Sequence, residues 1–190
     1  MGATHRDTLA SMNGLGLLYM AEGKYAQSEP LLTEAVATAG KVLGDANPDA
    51  QSCLNNLADL YAREGNWKQS AATYQRLLDA RLRTYGEDSP YTAGTRGSLG
   101  DVDLQLGDYA GAGLLLRPAM DHYQKHKVDG WRRYYTECLL GTCLASQGKH
   151  AEGTAMLAAA YRGLLARKEL VPFEYRLYLE RAAKLAEITK

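Results

Sequence analysis

The stretch GLGLLYMAEGKY, residues 14 to 25, recurs three times along the 190-residue chain. Its copies are NLADLYAREGNW at 56 to 67, SLGDVDLQLGDY at 98 to 109 and LLGTCLASQGKH at 139 to 150, a step of 42 residues taken twice and then one of 41. Each copy holds a leucine followed by a small residue, and each ends in glycine with a ring two positions later. Such self-similarity at a fixed period is typical of a repeat architecture.

Each repeat is predicted to be a helix, a tight turn and a second helix. In the first helix of the second copy, apolar residues fall at i, i+3, i+4 and i+7: Leu54, Leu57, Ala58 and Tyr61. The glycines Gly23, Gly65 and their counterparts follow such stripes, where a helix ends in a left-handed residue. No segment alternates as a strand would. We therefore expect an all-α, right-handed α/α superhelical solenoid of four helix-turn-helix units with a C-terminal capping helix.

The phrase Gly-x-x-x-Pro marks the boundaries between units, at Gly44 to Pro48 and Gly86 to Pro90. Glycine ends one helix, and proline opens the next. At the third boundary Trp131 takes the proline position, so this junction is expected to differ locally. A single domain over 1–190 is predicted, with repeats at 7–48, 49–90, 91–131 and 132–170 and a capping helix at 172–189.

The two ends of the chain differ in this pattern. Gly2 to Asp7 aligns with Gly44 to Asp49, so we expect the chain to open on the tail of a preceding unit and to be part of a longer protein. The last helix is expected to be a solvating cap, with charged residues opposite its apolar stripe. That stripe comprises Tyr175, Tyr178, Leu179, Ala182, Leu185 and Ala186.

Composition narrows the class of protein. The formal net charge is zero and 46% of residues are apolar, which argues against a general polyanion binder and against a disordered chain. No apolar run is long enough to cross a membrane, and the N-terminus has no signal-peptide core. The three cysteines lie within helical patterns, which suits reduced thiols. We expect a cytoplasmic protein.

The repeated pattern, L-G/A-x-x-Y followed by G-x-Y/W and a small residue, resembles the tetratricopeptide repeat (TPR) family over residues 2 to 168. The 42-residue period, with NNLADLY and EGNWKQS, is similar to the kinesin light chain type. This resemblance implies a bacterial signalling context in which such repeats are often attached to kinases, peptidases or NTPases. It also implies that first helices line a concave groove that binds extended peptides or partner helices.

Carried onto this sequence, the resemblance places candidate partner-binding residues on all four first helices. They are Asn13, Leu17, Met20, Ser52, Asn55, Asp59, Arg63, Asp101, Gln105 and Tyr135. Asn13 and Asn55 are the strongest candidates, because an amide offers both donors and an acceptor to a peptide backbone. The alternative is that these asparagines bond a neighbouring helix or water. Asp103 replaces the tyrosines Tyr19 and Tyr61, so the groove is expected to degrade toward the C-terminal half.

Other features give no catalytic or cofactor site. His122 and His126 are spaced i, i+4 as metal ligands can be, yet no third ligand is evident, so they are interpreted as solvated surface histidines. Cys53, Cys138 and Cys143 are interpreted as small packing residues. The basic and aromatic segment 125–135 could bind phosphates, but its tryptophan is expected to pack at a boundary, and neither nucleic acid nor a membrane is expected as a partner.

The sequence therefore predicts a non-catalytic protein interaction module without cofactor or metal, which binds a peptide or helix of another protein. The alternative is an architectural or regulatory segment that positions an attached enzyme, such as a kinase or peptidase. In that case the partner would be upstream domains of the same chain, or a second copy through the uncapped first repeat. Exposed apolar residues on that end would favour the alternative.

Overall fold

The computed structural model of the protein describes residues 2–172 and 176–188. Contacts divide the chain into two compact units, Met1–Gly86 and Glu87–Lys190. The described residues form α-helices and one short 3₁₀ helix, with no strand among them. The predicted fold class, all-α helix-turn-helix repeats with a final capping helix, is confirmed.

Unit 1 consists of two helical hairpins. Its helices are α1 (Gly2–Ala21), α2 (Tyr25–Val42), α3 (Pro48–Glu64) and α4 (Trp67–Tyr85). Helix α1 already begins at Gly2, so the residues aligned with the boundary phrase at Gly44 are helical here and do not form a turn. The repeat boundaries themselves stay predictions.

Unit 2 continues the pattern and adds a last helix. Its elements are α5 (Pro90–Gln105), α6 (Tyr109–Lys125), α7 (Trp131–Ser146), α8 (His150–Leu165), a 3₁₀ helix (Lys168–Leu170) and α9 (Leu177–Ile188). Helix α9 packs on α7 and α8, with Ala182 fully buried. Of the predicted stripe, Tyr175 lies outside the described residues.

Helix α3 shows how the sequence sets the helix ends. The side chain of Asn47 caps the first turn by accepting a hydrogen bond from the amide of Asp49, at 2.8 Å, and Pro48 opens the helix. Gly65 ends it with φ of 77°, in the left-handed region that glycine adopts at least cost. The predicted role of the turn glycines is confirmed.

The third boundary differs from the other two, as expected. Lys127 precedes Trp131 by the same four residues that separate Gly44 from Pro48, and its φ is 52°. It is the only described non-glycine residue with a positive φ. This junction therefore keeps the left-handed turn without the residue that best tolerates it.

The small residues of the repeat let the two helices of a hairpin approach closely. In unit 1 a buried serine of the second helix donates to a carbonyl of the first: Ser28 Oγ to Gly16 O at 2.7 Å, and Ser70 Oγ to Ala58 O at 2.9 Å. In unit 2 a Cβ built on Gly141 would lie 2.8 Å from the carbonyl oxygen of Gly153. The repeated columns are thus packing positions.

Candidate functional site

A cleft of about 480 Å³ lies between the first turns of α1 and α3 in unit 1. Its lining combines polar and small apolar side chains, and none of the described lining residues is basic. These residues are Asp7, Leu9, Ala10, Asn13, Gly14, Asp49, Ser52 and Cys53. The structure therefore brings Asn13 and Ser52, two predicted partner-binding residues, together with two carboxylates that sequence reasoning did not select.

Asn13 joins the two helices that border this cleft. Its Oδ1 accepts a hydrogen bond from Nδ2 of Asn56 on α3 at 2.9 Å. The alternative interpretation, in which an asparagine satisfies a neighbouring helix, describes this contact. The contact uses the carbonyl oxygen of Asn13, and its amide nitrogen takes no part in it. Asn13 therefore braces the cleft while it also lines the surface.

Asn55 and Asp59 belong to a hydrogen-bonded group in the second hairpin. Asn55 Nδ2 donates to Asp59 Oδ2 at 3.2 Å, and the hydroxyl of Tyr74 on α4 donates to Asp59 Oδ1. Both residues are half-buried. Their polar atoms are directed at least partly to α3 and α4 themselves, which weakens the case for Asn55 as the leading ligand contact.

The remaining predicted residues of unit 1 differ in accessibility. Ser52 is exposed, and its hydroxyl donates to the carbonyl of Pro48 at 2.9 Å. Leu17 and Arg63 are half-buried, and Met20 is buried. Met20 is therefore a core residue, whereas Ser52 lies at the open surface of the cleft.

In unit 2 the predicted partner-binding residues meet helix α9. Asp101 on α5 is only 1% exposed, and its Oδ2 accepts from Nη1 of Arg181 at 2.5 Å. The ring of Tyr135 on α7 lies 4.8 Å from the ring of Tyr178, centroid to centroid. Gln105 stays exposed. Helix α9 thus covers two of these three predicted residues and is more than a solvating cap.

The buried pair has a distinct electrostatic character. Burial alone lowers the pKa of Arg181, but the Asp101 carboxylate outweighs it and raises that pKa above its ordinary value. Burial also raises the pKa of the Tyr135 hydroxyl well above its ordinary value, and the charge of Asp101 adds to this shift. The second oxygen of Asp101, Oδ1, is buried without a hydrogen-bond partner. The site is built around one charge pair shielded from water.

The segment 125–135 is largely engaged within unit 2. The ring of Trp131 stacks on Tyr178 at 5.6 Å, and the guanidinium of Arg132 lies 4.5 Å from the Trp131 ring centre. Arg133 forms an ion pair with Glu137 at 3.1 Å. The expected packing role of Trp131 agrees with these contacts.

The three cysteines are free thiols buried in the helical core. Burial raises the pKa of Cys138 to about 12 and that of Cys53 to about 11. Such thiols stay protonated at neutral pH and are poor nucleophiles. Their burial agrees with the interpretation as packing residues.

The two histidines of α6 depart from the sequence-based interpretation. His122 is buried rather than solvated, and its ring faces Asp88, a residue of the second boundary phrase. Thirty-four positions separate the two residues in sequence, so helical spacing alone could not reveal the contact. The pairing of a boundary carboxylate with an i, i+4 histidine pair is the signal that was available.

Paired helices of constant length, closed by left-handed glycines and packed through small residues, define an α-helical repeat protein. The sequence profile of the tetratricopeptide repeat matches residues 7–81 and again 50–125. The chain belongs to the tetratricopeptide repeat family.

Solved structures place the fold beside kinesin light chain-like repeats. A kinesin light chain protein of nearly identical TPR-like repeats from Podosopora anserina has a TM-score of 0.72 at 17% identity, over 95% of this chain and 87% of that chain. BtubC (BKLC) from P. vanneervenii has a TM-score of 0.66 at 18% identity, over 98% and 89% of the two chains.

The apo form of RapI has a TM-score of 0.72 at 12% identity, over 96% of this chain and 70% of that chain. At such identities the likeness concerns the fold alone. Among curated proteins, no sequence matches this chain. Across the described residues, no helix combines the length and apolar character needed to cross a bilayer.

Proposed function

We propose that this protein is a non-catalytic interaction module that binds a basic peptide segment of a partner protein in the cleft between α1 and α3. The supporting observation is the lining of that cleft, with two carboxylates, one exposed hydroxyl and an apolar floor. Family membership supports the general role, because tetratricopeptide repeats mediate protein-protein interactions. The buried free thiols suit a cytoplasmic location.

The physical argument follows from the chemistry of the lining. Asp7 is exposed, and Asp49 lies in the first turn of α3, so a lysine or arginine side chain would meet two negative charges. The hydroxyl of Ser52 and the amide of Asn13 can bond a peptide backbone of any sequence. The side chains of Leu9 and Cys53 offer apolar contact beneath. Charge would give direction and register, and apolar burial would supply affinity.

A randomised peptide library presented to the immobilised wild-type chain tests the proposal. We expect enrichment of peptides with lysine or arginine, and binding that weakens as salt is raised. The variant Asp7→Asn/Asp49→Asn should bind the enriched peptide roughly fivefold more weakly, since exposed charge pairs contribute up to about 1 kcal/mol each.

The matched control is Glu34→Gln/Asp79→Asn, which removes the same charge from exposed residues of α2 and α4 outside the cleft. It should bind the peptide like the wild type. Enrichment without basic residues, or equal loss in both double variants, would contradict the proposal.

A second candidate function is docking of a neighbouring helix on α1, either from an upstream part of a longer chain or from a second copy. Leu15 and Leu18 are 40% and 53% exposed, whereas their repeat equivalents Leu57 and Leu60 are 6% and 0% exposed. In unit 1 helix α3 packs against α2, but α1 has no such preceding helix within the described residues. The apolar positions that repeat packing normally buries are open here.

Sedimentation velocity over a range of concentrations tests this second function. A reversible dimer that Leu15→Glu/Leu18→Glu abolishes would support docking between copies and a scaffold role. The control Leu114→Glu adds charge at another exposed leucine, on α6. A chain that stays monomeric at all concentrations, or a dimer that Leu114→Glu disrupts equally, would remove support for this surface.

A further inference from the structure

Three side chains from the end of α6 converge on a single carboxylate in unit 2. His122 Nδ1 lies 2.7 Å from Asp88 Oδ1, and His126 Nε2 lies 2.9 Å from the same oxygen. Lys125 Nζ lies 2.5 Å from the other oxygen, Oδ2. These hydrogen bonds hold the pKa of Asp88 well below its ordinary value, with that from Lys125 as the largest cause. The carboxylate is therefore charged at any pH near neutrality.

The fold holds these groups in place from two directions. Asp88 lies in the boundary phrase between Gly86 and Pro90, just before α5. His122 and His126 are one helical turn apart, so their rings lie on one face of α6 with centroids 4.5 Å apart. His122 is 5% exposed, which fixes its ring, while His126 and Asp88 remain open to solvent. An ion could reach the site from water and meet one rigid ligand and two adjustable ones.

We propose that Asp88, His122 and His126 form a binding site for a divalent transition metal of the zinc type. The three ligand atoms all lie within 4.8 Å of one another. Tetrahedral zinc with bonds of about 2.0–2.1 Å needs ligand atoms about 3.3 Å apart, so small rotations of the exposed side chains suffice. Two imidazoles and one carboxylate suit zinc, cobalt or nickel better than magnesium or calcium.

The protons can be accounted for without a co-reactant. In the metal-free arrangement the two ring nitrogens donate hydrogens to Asp88. When the ion binds, each neutral ring carries its proton on its other nitrogen and presents a lone pair to the metal. With three protein ligands, a fourth position is left for water or another donor. The ion would tie the loop before α5 to the end of α6.

Lys125 is a built-in competitor for this site. Its ammonium is within hydrogen-bond distance of Asp88, and its side chain is largely exposed. A positive charge so close to the ion opposes metal binding, and an exposed side chain can leave the carboxylate at little cost. Removing this charge should strengthen metal binding, an effect that a plain ion-pair cluster does not predict.

Titration with Co²⁺, read by its visible absorption, and with Zn²⁺, read by calorimetry, tests the proposal. We expect one ion per chain in the wild type. His126→Asn and Asp88→Asn should each weaken binding by at least roughly tenfold, since even outer-shell changes cost that much. Lys125→Gln should tighten it. His150→Asn, a control at the exposed start of α8, should bind like the wild type.

Because His122 is buried, the exposed positions Asp88 and His126 carry the test, and thermal melting of each variant checks that it folds. Absence of visible Co²⁺ absorption in the wild type would overturn the proposal. Equal affinity in wild type, His126→Asn and His150→Asn, or a thiolate charge-transfer band, would overturn it too, because the ion would then bind elsewhere.

Discussion

Units 1 and 2 repeat the same helical hairpin but treat the predicted partner-binding face differently. In unit 1, Asn13 and Ser52 border an open cleft. In unit 2, Asp101 and Tyr135 lie beneath helix α9. The repeat period fixes which residues share a face, but the element that follows the last repeat decides whether that face is open. Equivalent sequence columns therefore do not have equivalent functions.

The difference has an energetic side as well. Asp7 in unit 1 stays in contact with water, whereas Asp101 is buried and depends on Arg181 for compensation. A buried charge pair is costly to break and contributes little net stability compared with apolar packing. Helix α9 is thus tied to unit 2 by one contact whose loss has a large effect.

The largest expected effect comes from breaking that pair. Arg181→Met should lower the free energy of unfolding of the protein by about 3–5 kcal/mol, because it leaves the buried Asp101 carboxylate without its partner. Chemical denaturation, followed by circular dichroism, measures the change.

The double variant Asp101→Leu/Arg181→Met separates charge from packing. It should recover most of the lost stability, since no isolated charge remains. If Arg181→Met costs less than about 1 kcal/mol, which is the range of a surface ion pair, then α9 does not cover this face as described.

A smaller effect is expected at Asp103, which stands where unit 1 has Tyr19 and Tyr61. Burial, aided by the charge of Asp108, raises the pKa of Asp103 to about 6. An acid whose folded pKa is raised contributes stability below its unfolded pKa of about 3.9 and loses it as pH rises through the folded value. Asp103→Asn should therefore stabilise the protein at pH 7 by about 1–2 kcal/mol, after allowance for partial exposure.

The pH dependence is the control for that prediction. Urea denaturation at pH 4 and pH 7 should show the gain at pH 7 only. A gain of the same size at both pH values would mean that the amide stabilises by packing rather than by removing a charge.

The smallest expected effect concerns the third boundary. Lys127→Gly should raise the unfolding free energy by about 0.5–1 kcal/mol, because it relieves a left-handed lysine while making the unfolded chain more flexible. Thermal melting measures it. The converse change in unit 1, Gly44→Ala, should destabilise by a similar amount, since Gly44 has φ of 75°. Destabilisation by Lys127→Gly would contradict the strain assigned to this turn.

The fold was predictable because its signals are local. Helical stripes, capping residues and turn glycines all act within a few positions, and α3 with Asn47, Pro48 and Gly65 shows each of them. The small-residue columns also predicted close helix contacts, which Ser28 and Gly16 make. A period of 42 residues then repeats the same local information along the chain.

The site was predictable only in part, because partners in space are not fixed by spacing. The bond between Asn13 and Asn56 spans 43 positions and that between Arg181 and Asp101 spans 80. Asp88 meets His122 across 34. Sequence columns placed Asn13, Ser52 and Asp101 on first helices, yet only the packed structure shows which of them stay accessible.

Amide hydrogen exchange, with and without a saturating basic peptide selected from the library, tests the central claim most directly. The account predicts that the peptide slows exchange in the first turns of α1 and α3 and leaves α5 and α7 unchanged, because α9 already covers the equivalent face of unit 2. Protection in α5 and α7 with none in α1 and α3 would contradict it.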